Sequence, residues 1–231
     1  MRIWAIGDVH GCLTALNTLL AALDLQPEDR LVFLGDLIDR GPESKATIDR
    51  IFELRQQRQV DVIQGNHEEM LLMSRDLPGY SRVWQMYGGK ETLASYGISD
   101  GSIEGWADAI PAEHWKFFKT EMVDAVEELG HIMVHGGYMP EFPLNEQPWT
   151  DNRWMKWNNP QPHCSGQIVV CGHTHQVSGD PLDVGHAICI DTWVYGSDGW
   201  LTALDLGSHE YVQANQRGEE RRGQLVQVQR D

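Results

Sequence analysis

The sequence lacks any cysteine pairing pattern. Its four cysteines, Cys12, Cys164, Cys171 and Cys189, form no C-x-x-C pair, which excludes zinc-ribbon and thioredoxin-type readings. Cys171 lies in the apolar run "QIVVCG", where a buried, reduced thiol is expected. No apolar run reaches the ~18 residues that a membrane span needs. A signal-peptide pattern is missing too, since a strand-like segment starts at Arg2. These absences predict a cytoplasmic protein. Positive charge is scarce: 18 Lys and Arg stand against 34 Asp and Glu, giving a net charge of −16 and a pI near 4.9. That balance argues against nucleic-acid or anionic-membrane partners, so an anionic substrate needs a local source of positive charge. Repeats and linkers are also missing, and 231 residues at 41% hydrophobic content predict one sizeable core.

What is present alternates regularly over the first third. "RIWAI", "RLVFLG" and "VDVIQG" read as strands, and "CLTALNTLLAALDL", "KATIDRIFELRQQ" and "EEMLLMSR" as amphipathic helices. That order predicts βαβ units and an α/β chain with a helix-covered sheet. From 78 to 119 the pattern is irregular and helical, with several Gly and Trp, and predicts a small cap insert. Further on, "MVDAVEE", "HIMVHGG", "QIVVCGHTH", "HAICIDTW", "WLTALDL" and "EYVQA" read as strands of a second sheet, hence a sandwich with helices outside. The expected division is a catalytic domain over 1–215 and a polar, disordered tail over 216–231.

The chemistry follows the strands. "GDVHG" (Gly7–Gly11) comes directly after the first one. In extended chain, residues i and i+2 share a side, so Asp8 and His10 can close on one cation with Val9 packed behind. A plain Asp–Gly turn is the alternative. "GDLIDRG" (Gly35–Gly41), "GNHEE" (Gly65–Glu69), "VHGG" with His135 and "CGHTH" with His173 and His175 each follow another apolar strand. Ligands in helix-covered sheets bind beyond the carboxyl ends of the strands, so these loops are expected to converge. Two aspartates (Asp8, Asp36), Asn66 and up to four histidines (His10, His135, His173, His175) form an oxygen-and-imidazole set. It suits manganese, iron or zinc, and its lack of cysteine argues against a structural zinc. The number of ligands is about enough for two cations.

These five motifs, in this order, resemble the calcineurin-like metallophosphoesterases, and among them the bacterial branch of the PPP-type serine/threonine protein phosphatases. The resemblance runs from Arg2 to about Leu206, because "CIDTWVYGSDGWLTALDL" is similar to that family's last strands. One such motif is a weak signal; all of them in order form a specific one. The resemblance implies a four-layer αββα sandwich around two divalent transition metals, manganese first, with iron or zinc as alternatives. It implies that Asp8 and His10 hold the first metal, that Asp36 bridges, and that Asn66, His135 and His173 hold the second. His67 resembles the general acid, Asp39 the carboxylate that orients it, and Arg40 and Asn66 contacts to the substrate phosphate. Two cations can clamp the attacking and leaving oxygens and acidify a shared water, so a metal-bridging hydroxide is the expected nucleophile. The surplus cationic charge explains how an acidic chain can bind phosphate. The implied activity is phosphomonoester hydrolysis of phosphoserine, phosphothreonine or phosphotyrosine in proteins, or of small phosphomonoesters.

Two positions depart from the family pattern. Bacterial relatives carry W-x-R, whereas this chain reads "NRWMKW", with Lys156 in the arginine's place and Arg153 as a nearby substitute. Lysine lacks the bidentate fork, and a solvated side chain is the alternative to a phosphate contact. His175 stands where many PPP-type enzymes have no ligand. Other metallophosphoesterases use that histidine on the first metal, and a ligand is the expectation here. His114, His131, His163, His186 and His209 lie outside the motifs, and Asp191 and Tyr195 resemble rim positions without a catalytic role. One rival reading is a dinucleoside polyphosphate hydrolase or cyclic-nucleotide phosphodiesterase. Asp39 in "DRG" counts against it, because similar diadenosine tetraphosphatases often lack that residue. Another is a non-catalytic, metal-bound scaffold, whose mark would be a lost ligand.

Overall fold

Alternation along the first strand, β1 (Ile3–Ile6), builds two layers at once. Trp4 and Ile6 enter a core shared with helices, while Ile3 and Ala5 enter a second core between two sheets. The computed structural model describes residues 1–77, 79–98 and 105–228. After β1 come α1 (Leu13–Ala22), β2 (Arg30–Phe33), α2 (Ser44–Arg55), β3 (Val60–Val62) and α3 (Asn66–Asp76). Three short helices follow: α4 (Tyr80–Trp84), α5 (Lys90–Ser95) and α6 (Ala112–Lys116). The second half contains β4 (Ala125–Glu128), β5 (His131–Val134), α7 (Trp149–Asn152), β6 (Ile168–Cys171), β7 (Leu182–Asp183) and β8 (Ala187–Cys189). The last strands are β9 (Leu201–Asp205), β10 (Glu210–Ala214) and β11 (Glu220–Gln224).

The strands form a six-stranded sheet ordered β11-β10-β9-β1-β2-β3 and a five-stranded sheet ordered β4-β5-β6-β8-β7. β1, β2 and β3 run parallel, as do β5, β6 and β8. The carboxyl ends within each set therefore lie on one edge, where the motif loops begin. Between the sheets pack Ile3, Ala5, Val32, Leu34, Met133, Val170, Ile188 and Leu204. Their neighbours Leu31, Phe33 and Ala203 face the helices. Burial on both faces explains why these strands read as continuous apolar runs. In α1, Ala15, Leu16, Leu19 and Leu20 are buried, and in α2, Thr47, Ile48, Ile51 and Leu54, the stripes expected of helices lying on a sheet.

The expected α/β sandwich is present, with one thin layer. The outer face of the five-stranded sheet, formed by Ile132, Val134, Val169, Cys171, Ala187 and Cys189, is covered by Tyr138, Leu144, Trp149 and Trp157. These come from the β5–β6 connection, whose α7 has four residues. The stretch expected as a cap is helical where described; 78 and 99–104 lie outside the described residues. Its Trp84, Trp106, Trp115, Phe117 and Phe118 pack with Met70 and Leu71 of α3, so these aromatics extend the first core.

The tail needs a correction. Glu220–Gln224 is a strand, paired antiparallel to β10, where disorder was expected; 229–231 lie outside the described residues. "ERRGQ" has no apolar alternation to reveal a strand, because it is an exposed edge held by backbone pairing and polar side chains. Arg221 donates to the Gln213 side chain at 2.7 Å and to the Gly179 carbonyl at 2.6 Å. Among the described residues no helix is long and apolar enough to cross a membrane.

Candidate metal centre

Each motif loop begins where a parallel strand ends. β1 leads into Asp8 and His10, β2 into Asp36, Asp39 and Arg40, β3 into Asn66 and His67, β5 into His135 and β6 into His173. Close approach explains two flanking glycines: a Cβ on Gly172 would lie 2.1 Å from Asp8 Oδ1, and one on Gly65 would lie 2.1 Å from Asp36 Oδ1. Five of these residues have positive φ: His10 (+47°), Asp36 (+49°), Asp39 (+73°), Arg40 (+71°) and His173 (+63°). Each such conformation costs about 1–3 kcal/mol, so the surroundings must hold it in place. The Val9 and His10 N–H groups donate to the Asp36 carbonyl at 3.1 and 2.8 Å. The buried Glu68 carboxylate accepts from the N–H groups of Asp36 (3.0 Å), Leu37 (2.7 Å) and Gly65 (3.0 Å). Burial, and then Asp36, push the Glu68 carboxyl up to about 7.

Asp36 lies at the middle. His10, Asp36 and His67 bring ligand atoms within 4.8 Å of one another, as do Asp36, His135 and His173. Asp36 Oδ2 is 3.7 Å from His10 Nε2, and its Oδ1 is 3.4 Å from His135 Nε2. His135 Nε2 is 2.9 Å from Asn66 Oδ1, and His10 Nε2 is 4.0 Å from Asp8 Oδ2. Donors on one cation with bonds of about 2.0–2.1 Å stand roughly 3 Å apart, so this set fits metals. The tautomers fit as well. Nδ1 of His10 donates to the Ile38 carbonyl at 2.9 Å, and Nδ1 of His135 to the Leu34 carbonyl at 2.8 Å, which turns each Nε2 toward the centre as a metal ligand needs.

The electrostatics also call for cations. Burial, then Asp191 and Asp36, push Asp8 well above the usual carboxylate range. Burial opposes ionisation of Asp36, yet His135 and His67 hold it well below that range. Burial, with Arg40 and His67 nearby, keeps His10 well below the ordinary imidazole value, and burial with His135 lowers His173 to about 4. His10 and His173 are thus kept neutral, the donor state a metal requires, whereas Asp36 outweighs burial at His135 and raises that imidazole above its ordinary value.

His67 of this cluster is also paired with Asp39. His67 Nδ1 and Asp39 Oδ2 are 2.6 Å apart and both residues are buried. Trp84 Nε1 donates to Asp39 Oδ2 at 2.8 Å and Thr92 Oγ1 to Asp39 Oδ1 at 2.6 Å, while the Asp39 N–H donates to Ser44 and Thr92. Burial lowers the basicity of His67, but Asp36 and the Asp39 hydrogen bond outweigh it and raise the imidazole. Its Nε2 faces Asp36 Oδ2 at 3.9 Å.

The remaining expected residues divide. Arg40 Nη1 donates to His10 Nε2 at 2.8 Å and its guanidinium lies over the Tyr195 ring at 4.5 Å, inside the site. Lys156 is exposed beside Gly136 and Gly137, in the wall of a cavity of about 250 Å³. Arg153 is bound to Glu69 at 3.0 Å and to Asp124, which occupies its charge. His175 is exposed, outside both ligand groups, with its ring stacked on Trp193 at 5.6 Å. Sequence reading missed Glu68, Ser44, Trp84 and Thr92. Glu68 had a signal, since a glutamate three residues after the residue preceding a helix is a capping pattern. The others act on Asp39 from a distance and had none. Asp191 is buried with Oδ2 unpartnered, and Tyr195 meets the His10 ring edge-on at 4.9 Å, so both rim positions reach the centre.

Known proteins resemble this chain in sequence and in fold. A symmetrical bis(5'-nucleosyl)-tetraphosphatase of Chromobacterium violaceum is 30% identical over 147 residues, 63% of this chain and 47% of that protein. Serine/threonine-protein phosphatase 1 of Salmonella typhimurium is 39% identical over 89 residues, 38% of this chain and 39% of that protein. The chain thus spans under half the length of these two relatives. An asymmetrical bis(5'-nucleosyl)-tetraphosphatase of Oceanobacillus iheyensis is 29% identical over 247 aligned positions, 94% of this chain and 93% of that one. Among solved structures, a candidate diadenosine tetraphosphatase superposes with TM-score 0.68 at 19% identity, covering 92% of each chain. A cold-active protein-tyrosine phosphatase of a Shewanella species superposes with TM-score 0.64 at 18% identity, over 96% of this chain and 80% of that one. At such identity the likeness speaks to the fold alone. The family profile of the calcineurin-like phosphoesterases matches residues 1–177, a span that takes in all five glycine-flanked loops and the strands that aim them, and the chain belongs to that family.

Proposed function

We propose that the protein hydrolyses phosphomonoesters, phosphoserine and phosphothreonine in proteins first among them, with two divalent cations. Asp8, His10, Asp36 and His175 would hold one; Asp36, Asn66, His135 and His173 would hold the other, with manganese the best match to an oxygen-and-imidazole set without thiolate. When bound, the cations supply Lewis-acid polarisation of the phosphoryl group and an acidified water. The chain's own groups do the rest. Arg40, stacked on Tyr195, offers its planar fork to phosphoryl oxygens. Asn66 and Lys156 complete the phosphate contacts. His67 holds a proton on Nε2 and delivers it to the leaving oxygen, and Asp39 keeps the ring turned to do so. The free thiols, Cys12, Cys171 and Cys189 among them buried, suit a reducing cytoplasm.

The observation that carries this reading is the His67–Asp39 pair, enclosed by Trp84 and Thr92. A serine or threonine alkoxide leaves only when protonated, so a dedicated acid is worth building for a monoester. A nucleoside polyphosphate leaves readily as an anion. The second reading, dinucleoside tetraphosphate hydrolysis, is favoured by the relative from Oceanobacillus that matches along nearly the whole chain.

Rates on a phosphopeptide, p-nitrophenyl phosphate and diadenosine tetraphosphate, after chelation and return of Mn²⁺, test both. Chelation is expected to abolish turnover and Mn²⁺ to restore it. His67→Asn is expected to lower kcat on the phosphopeptide by about 100-fold or more, and on the activated aryl ester by less than about tenfold, with metal content unchanged. Preferred turnover of the tetraphosphate, with equal losses on all substrates in His67→Asn, would favour the second reading.

A further inference from the structure

His175 lacks the support that His10, His135 and His67 have. Nδ1 of His10, His135 and His67 is held by the Ile38 carbonyl, the Leu34 carbonyl and Asp39 respectively. The His175 ring makes no hydrogen bond among the described residues, and it is exposed. What it has is an indole. Its ring stacks on Trp193 with centroids 5.6 Å apart and planes at 25°, within the range of favourable aromatic pairing. Tyr195 stands edge-on to both Trp193 (6.2 Å) and His175 (6.5 Å), and also packs against His10.

The loop after β8 is shaped around that indole. Trp193 has φ +63°, a left-handed conformation that a bulky L-residue rarely adopts. Its N–H donates to Asp191 Oδ1 at 3.0 Å, and its carbonyl accepts from the Gly196 N–H at 2.8 Å. Gly196 lies against the ring: a Cβ there would come within 2.5 Å of Trp193 Cδ2. The indole thus has Gly196 close against its ring and His175 stacked on it. Asp191, two residues before Trp193, is buried with Oδ2 unpartnered.

We propose that Trp193 is a positioning residue for His175: the indole fixes the imidazole toward the Asp8–His10 half of the centre and sets that half's affinity for its cation. It does for His175 what a carbonyl or carboxylate does for the other histidines. The proposal rests on the reading of His175 as a ligand of that cation.

Calorimetric titration of the metal-stripped full chain with Mn²⁺ tests it in four variants beside the wild type, with thermal unfolding as a check on folding. His175→Ala is expected to weaken one of the two Mn²⁺ sites by about 10- to 100-fold, and Trp193→Ala the same site by about tenfold. Trp193→Phe, which keeps a stacking ring, stays within about threefold of wild type. In the double variant, Trp193→Ala adds nothing to His175→Ala, because the two act through one contact. Turnover lost by Trp193→Ala at low Mn²⁺ returns at excess. If His175→Ala weakens Mn²⁺ binding while Trp193→Ala leaves it at wild-type strength, or if the two losses add, the positioning role is overturned and the ligand role stands. If His175→Ala binds Mn²⁺ as the wild type does, the ligand role falls and the positioning role with it.

Discussion

Glu68 does as much for the centre as the residues that face it. Its carboxylate gathers three N–H groups, of Asp36, Leu37 and Gly65, and so ties the loop after β2 to the start of α3. The Asp36 side chain, which both candidate cations would share, is aimed by that tie. Its Oδ1 accepts the His67 N–H at 3.0 Å, a bond that exists only while the two loops are registered. Glu68→Gln removes one acceptor oxygen and turns an amide NH2 toward backbone donors, leaving buried groups unpaired at a cost of about 2–3 kcal/mol. The expected outcome is a thermal midpoint lower by roughly 4–12 °C, with Mn²⁺ bound more weakly by the metal-stripped protein. A variant that melts with the wild type would show that the loops hold their register without Glu68.

At the scale of elements, the short helices after α3 act on the site through one turn. Between α4 and α5, the turn Gln85–Gly89 kinks at Gly88, whose φ is +111°. The Gly88 carbonyl accepts the Arg40 N–H at 3.2 Å, and a Cβ on Gly88 would stand 2.5 Å from Arg40 N. This turn is the seat on which Arg40 rests, and Thr92 of α5 and Trp84 of α4 fix Asp39 from the same insert. Gly88→Ala is therefore expected to cost about 1–3 kcal/mol of stability. It should also raise KM for p-nitrophenyl phosphate several-fold by displacing Arg40, while Mn²⁺ affinity stays unchanged because no candidate ligand moves. Steady-state kinetics beside metal titration would check it; loss of Mn²⁺ with KM intact would place the turn under the metals instead. The insert's helical character was legible in its composition. Its grip on Asp39 and Arg40 was not, because hydrogen bonds across some 50 positions leave no local pattern.

At the scale of the molecule, the two sheets are joined by more than the apolar layer between them. Away from the centre, His131 at the start of β5 meets His209, in the turn between β9 and β10, with Nε2 atoms 3.0 Å apart. Burial, opposed by the Leu129 carbonyl, lowers the pKa of His131 below its ordinary value, and His209 adds to the lowering. The unfolded chain then takes up a proton more readily than the folded one. The stability that neutral His131 contributes is complete above the ordinary imidazole pKa of about 6.5 and is lost as pH falls through it toward the folded value. The thermal midpoint is expected to fall more between about pH 7.5 and pH 5.5 in the wild type than in His131→Phe, which has no proton to take. Parallel melting curves at the two pH values would show it, and equal falls would mean that the join tolerates the charge.

Much of this protein was determined by sequence local to each strand. An apolar run such as "RLVFLG", closed by glycine and followed at once by Asp36, states that a buried strand ends there and presents a polar side chain at its carboxyl end. Burial periodicity and glycine's tolerance of close approach act over a few residues, so α1, α2, the parallel strands and the loops bearing Asp8, His10, Asp36, Asn66, His135 and His173 were legible. Tertiary structure alone decided what those side chains touch. It bound Arg153 to Glu69, 84 positions away, and stacked His175 on Trp193. It also turned the polar segment "ERRGQ" into a sheet edge. The physical reason is common to all three. Which face of an element is buried depends on its own spacing of apolar residues, whereas which partner a polar side chain finds depends on which distant elements the fold brings beside it.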